Sequence, residues 1–439
     1  MSMIERKWVK SACTVYSARR FLLYKHMLRL PKYILSRLES QLLSPRFAFL
    51  IGEPIFHLMG MRPRKVDLAL EVTKKVLIVR LDEIGDVVLT TPFLREFRKN
   101  LPRAWITLVV KPSVFNLVEL CPYVNEVLTY DWSKKNGSSV WRRHWRALKL
   151  SRRHFWKRRF DLAIVPRWDV DYYHASFVAY FSGAPRRVGY SENCTDLKKT
   201  YNKGYDELYT DIISETTQQH EVEISLDILR LIGGVAHDDQ LELWTEDKDE
   251  KYAEHLLAAR MNSIDYPIIA MGIGAGSKKR IWPSDRYREL ALWLNERYNA
   301  IIVLCGSSDD VENASVIENQ LGSLIINLIG KTTLLQMAAI MKRCRLYVGN
   351  DAGPMHIAAA VGVPIVEISC HPITGSIYHY NSPVRFGPWD VPCRILQPKK
   401  TVVPCVNGCE AESPHCILDV TVDNVREAVS SLLAKIGKR

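Results

Sequence analysis

The chain of 439 residues contains no charge-free apolar run long enough to cross a bilayer. Its best candidate, residues 352–366, is short and carries Pro354 and Pro364. The first twenty residues show charge but no continuous apolar segment and no small-residue cleavage site, so no secretory leader is expected. These absences predict a cytoplasmic protein. The sequence also offers no helix-turn-helix, zinc-finger or RNA-binding signature, so its net charge of +12 argues for an anionic partner other than nucleic acid. Acids are missing where the bases are densest. Between Arg142 and Arg159 there is no Asp or Glu, and Trp141, Trp145, Phe155 and Trp156 are interleaved with the cations. That segment reads either as a solvated basic helix or as a landing site for a polyanion, Arg152, Arg153, Arg158 and Arg159 among its candidates. Arg187, in a glycine-flanked turn and strand, joins the same acceptor-binding set.

What is present is an ordinary globular mixture, 47% hydrophobic and 25% charged, in a chain long enough for two α/β domains. Residues 1–71 stand apart. Leucines and cations recur there at helical spacing and Pro31 divides the pattern, which predicts a basic amphipathic helical extension. It would pack on the body or on another subunit, or lie on a membrane surface. From residue 75 strand-like and helix-like runs alternate, the mark of parallel sheets with right-handed crossovers. The polar stretch 245–250 interrupts the alternation, which then restarts. The expected units are 72–249, 250–416 with a cysteine-rich loop, and a terminal helix over 417–439.

Two strand-to-helix junctions concentrate the chemistry. Near the first strand, Val76–Arg80, lies Asp86, directly after Gly85. It is either a helix-capping aspartate or a general base at the carboxyl end of a strand. The second junction reads Gly349-Asn350-Asp351-Ala352-Gly353-Pro354-Met355-His356. Gly353 permits close backbone approach, Pro354 suits a first helical turn, and the helix N-terminus favours a phosphate. It is neither a P-loop nor a dinucleotide fingerprint, since both glycine patterns are absent here. A third segment, 272–283, is a glycine loop ending in Lys278-Lys279-Arg280 before Trp282-Pro283, suited to a diphosphate leaving group.

Together, R-x-D-x-I-G-D-x-x-L-T-T-P, G-A-G-x-x-K-x-x-W-P and G-N-D-x-G-P-M-H-x-A-A-A resemble the heptosyltransferases of lipopolysaccharide assembly, glycosyltransferase family 9. The resemblance covers about residues 75–437. It implies a GT-B fold, two Rossmann-like domains facing a cleft, and inverting, metal-independent transfer from ADP-heptose. By resemblance Asp86 is the base, and Ser277, Asp351, Ala352, Gly353 and His356 hold the nucleotide diphosphate. The family's usual lysine before Trp-Pro is represented here by Lys279 or Arg280, and Ala352 stands where a threonine is common. The implied acceptor is an anionic lipid-linked core sugar or a surface protein, reached from the cytoplasm or the inner membrane's surface. Another nucleotide-sugar, or a non-catalytic scaffold docking on glycan or membrane, are the alternatives.

Cys393, Cys405, Cys409 and Cys416 cluster near the end of the chain, with Pro404, Gly408 and Pro414 shaping loops. In a reducing compartment such thiols favour a structural metal, zinc or iron, over disulfides. Free loop thiols are the other reading, and Cys370 is a possible substitute ligand. No catalytic cofactor is expected.

Overall fold

The computed structural model describes residues 45–61, 70–131, 140–214, 219–258 and 266–437. The amphipathic segment expected over 19–43 lies outside the described residues, as does Arg62-Pro63-Arg64.

Among the described residues, twelve short strands form two six-stranded parallel sheets. The first holds β1 (Lys75–Arg80), β2 (Trp105–Val110), β3 (Glu126–Thr129), β4 (Leu162–Val165), β5 (Arg186–Tyr190) and β6 (Asp211–Ile213). Its order is β3-β2-β1-β4-β5-β6. The second holds β7 (Ile268–Gly272), β8 (Ile301–Cys305), β9 (Ile325–Asn327), β10 (Leu346–Asn350), β11 (Ile365–Ile368) and β12 (Cys393–Leu396), in the order β12-β11-β10-β7-β8-β9. Each order doubles back after its first strand, the doubly wound arrangement. The direction reverses between β1 and β4 in one sheet and between β7 and β10 in the other. Loops at those two points diverge, and each leaves a crevice at the strands' carboxyl ends.

The central strands read as near-continuous apolar runs because helices cover both faces. Leu77, Ile78 and Val79 of β1 are fully buried, as are Ile269, Ala270 and Met271 of β7. The helix Pro45–Leu58 packs on the first sheet's outer layer. Phe49 and Phe56 meet Tyr180 edge-on, and the Tyr180 hydroxyl donates to Glu53 at 2.9 Å. The polar stretch 245–250, where the boundary between domains is expected, runs into a helix, Asp247–Ala258. Its Glu250 accepts from Lys342 and Arg343, which tie it to the second sheet's helix Leu334–Met341.

The two halves meet where the helix Ile84–Val88 faces the helix Gly353–Ala360. Two glycines make this approach possible. A Cβ at Gly85 would lie 2.5 Å from His356 Cδ2, and one at Gly353 would lie 2.9 Å from Ile84 Cβ. The expectation that Gly353 opens space for a ligand is therefore modified: its bare backbone admits the opposite domain. Gly353→Ala should lose about 1–3 kcal/mol in denaturant unfolding, the cost typical of overpacking. Because the obstructing atom is a β-carbon close to the main chain, Ile84→Ala should recover part of the loss. An unchanged unfolding midpoint in Gly353→Ala would show that the two helices do not meet this closely.

Candidate active site

The first switch point carries the loop after β1 and the loop after β4. Asp86 sits in the first turn of the helix Ile84–Val88 and has two jobs. Its Oδ2 accepts the Glu83 N–H at 3.2 Å, the capping role. Its Oδ1 faces Arg80 Nη2 at 3.6 Å and Arg167 Nη1 at 3.4 Å. Burial pushes the Asp86 carboxyl up, but Arg167, then Arg80, then the Glu83 N–H outweigh it and hold the group below the usual carboxylate range. Asp86 is therefore ionised and aimed at the cleft. Arg80 is almost fully buried and also contacts Asp82 at 3.2 Å and the Pro166 carbonyl. Arg167 also donates to Asp82 at 2.7 Å. Behind this loop, the buried Lys198 donates to the Trp168 and Tyr190 carbonyls, both at 2.9 Å.

The second switch point supplies the other wall. The loop after β7 ends in the turn Lys278–Arg280. Arg280 Nη1 lies 3.4 Å from both Asp351 Oδ2 and Asn381 Oδ1, beside the opening of the helix Gly353–Ala360. Lys279 turns away, and its Nζ donates to the Tyr380 hydroxyl at 2.7 Å. Of the two cations, Arg280 is the one beside the helix N-terminus. Ala352 is the residue that precedes this helix, with extended backbone, and first-turn N–H groups point out of a helix rather than into it. His356 Nε2 is 3.9 Å from Asp351 Oδ1. Ser277 precedes the cationic turn in extended conformation. The glycines of the 272–276 loop mostly serve packing: a Cβ at Gly272 would strike the Tyr347 hydroxyl, and one at Gly274 the Asp310 carboxylate.

Several expected acceptor residues are not at this cleft. Arg158 forms a two-point pair with Glu126 at the start of β3, and its carbonyl accepts from Lys75 at the start of β1. Arg159 donates to the Met59 carbonyl. Arg152 and Arg153 are exposed on the same turn. These residues stand at the amino ends of the strands, opposite Asp86. Arg187 is buried and donates to the Leu208 and Ala184 carbonyls, so it braces the sheet. The cleft rim carries other groups instead. Tyr172 and Tyr201 are exposed and meet edge-to-face at 5.8 Å, while Lys111 lies over the Tyr173 ring and pairs with Glu83. Sequence reasoning missed them because rim tyrosines carry no motif.

The cysteine cluster is also different from the expected set. Cys405, Cys409, His415 and Cys416 place one ligand atom each within 4.8 Å of one another. Cys393 lies outside it, on the edge strand β12, and His415 takes the fourth position. Cys370 instead accepts a contact from Asn381. The His415 Nδ1 distances are 3.6 Å to Cys405 Sγ and 3.4 Å to Cys416 Sγ. A tetrahedron with metal–sulfur bonds of about 2.3 Å and a metal–nitrogen bond of about 2.0 Å has sulfur–nitrogen edges of about 3.5 Å, which the two histidine distances match.

A carboxylate at one switch point, across from a cation and a helix N-terminus at the other, is the arrangement of a GT-B glycosyltransferase. Residues 142–414 match the model of glycosyltransferase family 9 (heptosyltransferase), more than half of the chain. The chain belongs to that family and is a glycosyltransferase. It is similar to lipopolysaccharide heptosyltransferase 2 of Salmonella typhimurium, 25% identical over 378 residues, covering 83% of this chain and 99% of the relative. The lipopolysaccharide core heptosyltransferase OpsX of Haemophilus influenzae is 22% identical over 323 residues, 73% of this chain and 83% of that one. In fold it resembles the family 9 glycosyl transferase from Veillonella parvula, with a TM-score of 0.66 at 22% identity over 84% of this chain and 99% of that one. The E. coli ADP-heptose lps heptosyltransferase II gives 0.61 at 22% identity, over 83% and 99%.

Histidines around the cleft make acid stability testable. Burial lowers His220 to about 3 and His356 to about 4, while the unfolded groups titrate near 6.5. As pH falls below 6.5 the unfolded chain binds protons first, so their contribution is full above that pH and is lost toward 4. The buried acids Asp351 and Glu367, whose carboxyls are raised by burial, oppose this slope. Comparing wild type with His220→Gln cancels them. Wild type should lose more melting temperature between pH 7 and pH 5 than the variant, and equal slopes would refute a neutral His220.

Proposed function

We propose that this chain transfers heptose from ADP-heptose to a hydroxyl of a lipopolysaccharide core sugar, with inversion at the anomeric carbon. The observation that carries the reading is Asp86 Oδ1, held between Arg80 and Arg167 and aimed across the cleft toward the Gly353 helix. The acceptor oxygen attacks the anomeric carbon as the bond to the diphosphate oxygen breaks. Its proton passes to Asp86. ADP leaves with its charge toward Arg280 and the first-turn amides after Ala352, with Ser277, Asp351 and His356 completing the donor wall. Two guanidinium groups make Asp86 a weak base, so the hydroxyl releases its proton late, once attack has made it acidic. Lys279 steadies Tyr380 rather than the diphosphate. Tyr172 and Tyr201 offer aromatic faces to the acceptor's sugar rings, and Lys111 a cation to its acidic groups. Arg152 and Arg153, at the far end of the sheet, suit an anionic membrane surface instead. Heptosyltransferase names among both the sequence relatives and the solved folds support the donor.

Asp86→Asn should abolish transfer while ADP affinity by calorimetry stays near that of wild type, because a base acts on the transition state. Turnover within a few-fold of wild type would remove Asp86 from the mechanism.

We also read the Cys405, Cys409, His415 and Cys416 cluster as a structural metal site, with zinc or iron closing the loop. Elemental analysis of untagged protein should give close to one ion per chain. Cys405→Ser/Cys409→Ser should lose it along with some thermal stability, whereas Cys393→Ser should keep it. A metal-free chain whose melting is indifferent to the double change would leave these as free thiols.

A further inference from the structure

Arg385 belongs to the second half of the chain, in the short helix Pro383–Phe386, yet its guanidinium is buried in the first half. Nη1 donates to Asp169 Oδ2 at 3.0 Å and to the Tyr378 carbonyl at 3.2 Å. Nη2 donates to Glu221 Oε1 at 2.5 Å. Its plane lies over Trp168 at 4.4 Å and over Phe386 at 4.8 Å. The neighbouring residues bind the same seam. His220 contacts the Gly387 carbonyl at 3.0 Å, and Trp389 donates to the Asp239 carbonyl at 2.9 Å.

Glu221 is shared. Its other oxygen, Oε2, lies 3.9 Å from Arg80 Nη2, the same nitrogen that faces Asp86 Oδ1 at 3.6 Å. Arg80 therefore has two carboxylates competing for one nitrogen, and Arg385 occupies one of them. The charge count makes the dependence sharp. Arg80, Arg167 and Arg385 face Asp82, Asp86, Asp169 and Glu221, three cations to four carboxylates. Without Arg385 two cations would serve all four. In a buried site an unpaired carboxylate recruits the nearest cation.

We propose that Arg385 is a positioning residue for the transfer reaction: by engaging Glu221 and Asp169 it leaves the Arg80 guanidinium to orient Asp86, so that the base is set only when the two domains are docked. The donor wall is in the same chain of contacts. Arg280 contacts Asn381, Lys279 holds Tyr380, and Arg385 takes the Tyr378 carbonyl, all within one loop. Occupation of the diphosphate site and alignment of the base are thereby linked through residues 378–385. This rests on the role proposed for Asp86, and its test has an arm that needs no turnover.

The groups facing Asp86 are Arg80 on β1, Asp82 and Glu83 in the loop, Arg167 after β4, and His356 and Asp351 from the opposite half. In Arg385→Met, Glu221 should draw Arg80 away, so Asp86 should titrate at higher pH. Carboxyl-carbon NMR of aspartate-labelled protein, with the Asp86 signal assigned from Asp86→Asn, reads this directly. In the transfer assay the acid limb of kcat/KM should move the same way, kcat should fall roughly tenfold or more, and donor KM should stay within about threefold. Glu221→Gln placed in the Arg385→Met background removes the competing charge and should restore the Asp86 titration and most of kcat. Arg385→Lys should be intermediate, since it keeps the charge without the two-point geometry. A lower melting temperature with the Asp86 titration unmoved would overturn the proposal, as would a double variant no better than Arg385→Met. Should Arg385→Met not fold, Arg385→Lys carries the same test: a partial upward shift of the Asp86 titration is expected, and an unmoved one would overturn the proposal. A shifted titration in a chain whose wild type transfers no heptose would overturn the proposed function and leave the positioning role standing.

Discussion

A buried guanidinium, that of Arg80, organises the cleft side of the first half of this molecule. Side-chain exposure is 1%, so its charge is not solvated by bulk water and must be met by protein. It is met by the Pro166 carbonyl, Asp82, Asp86 and, more distantly, Glu221. Those partners come from the loop after β1, the loop after β4 and the start of the helix Glu221–Leu231. One residue at the end of β1 thus joins the separate segments that must agree on where Asp86 points. An apolar side chain there would leave Asp82, Asp86 and Glu221 one cation short, with Arg167 and Arg385 as their remaining partners, and a buried carboxylate that loses a cation is costly.

The same electrostatics show how an aspartate that caps a helix can also be the base proposed here. Capping uses Oδ2 and the Glu83 N–H, while Oδ1 is left to Arg80 and Arg167. In the sequence these roles appear as alternatives, because a one-dimensional pattern shows the residue but not its two oxygens. The glycines carry a related lesson. Gly353 reads in the sequence as space for a ligand, yet it and Gly85 are both small where the opposite domain presses on them. The architecture was legible from the alternation of apolar strands with helices, and the two glycine-punctuated junctions do fall at the two switch points. What strand periodicity cannot carry is contact between halves that lie hundreds of residues apart.

The basic segment shows how topology could have corrected charge. A crossover between parallel strands leaves the carboxyl end of one and returns to the amino end of the next. Val140–Leu150 and the turn after it join β3 to β4, so their last residues must arrive at the amino edge of the sheet. Arg152, Arg153, Arg158 and Arg159 are those last residues. Their density of charge suggested an acceptor site, whereas their place in the crossover puts a whole strand length between them and Asp86. The cations at the cleft, Arg167 and Lys111, are isolated in sequence and follow strands directly, which is the better signal in this class of fold.

Position also links the cysteine loop to the segment that carries Arg280. Trp282, fully buried two residues after Arg280, donates from Nε1 to the Val420 carbonyl at 2.8 Å. Its own N–H reaches Asn350 Oδ1 at 3.0 Å, at the end of β10. Arg286 adds bonds to the Leu418 and Val420 carbonyls. The turn Cys416–Asp419 that follows His415 therefore lies directly against the segment carrying the cationic turn Lys278–Arg280. Residues 398–415 contain little helix or strand of their own, so few backbone bonds order them. Ligation at Cys405, Cys409, His415 and Cys416 would order that loop and, through Val420 and Trp282, steady the turn on which Arg280 stands. A loop at a distance from the cleft would in this way set the angle of Arg280, the cation proposed to meet the leaving diphosphate.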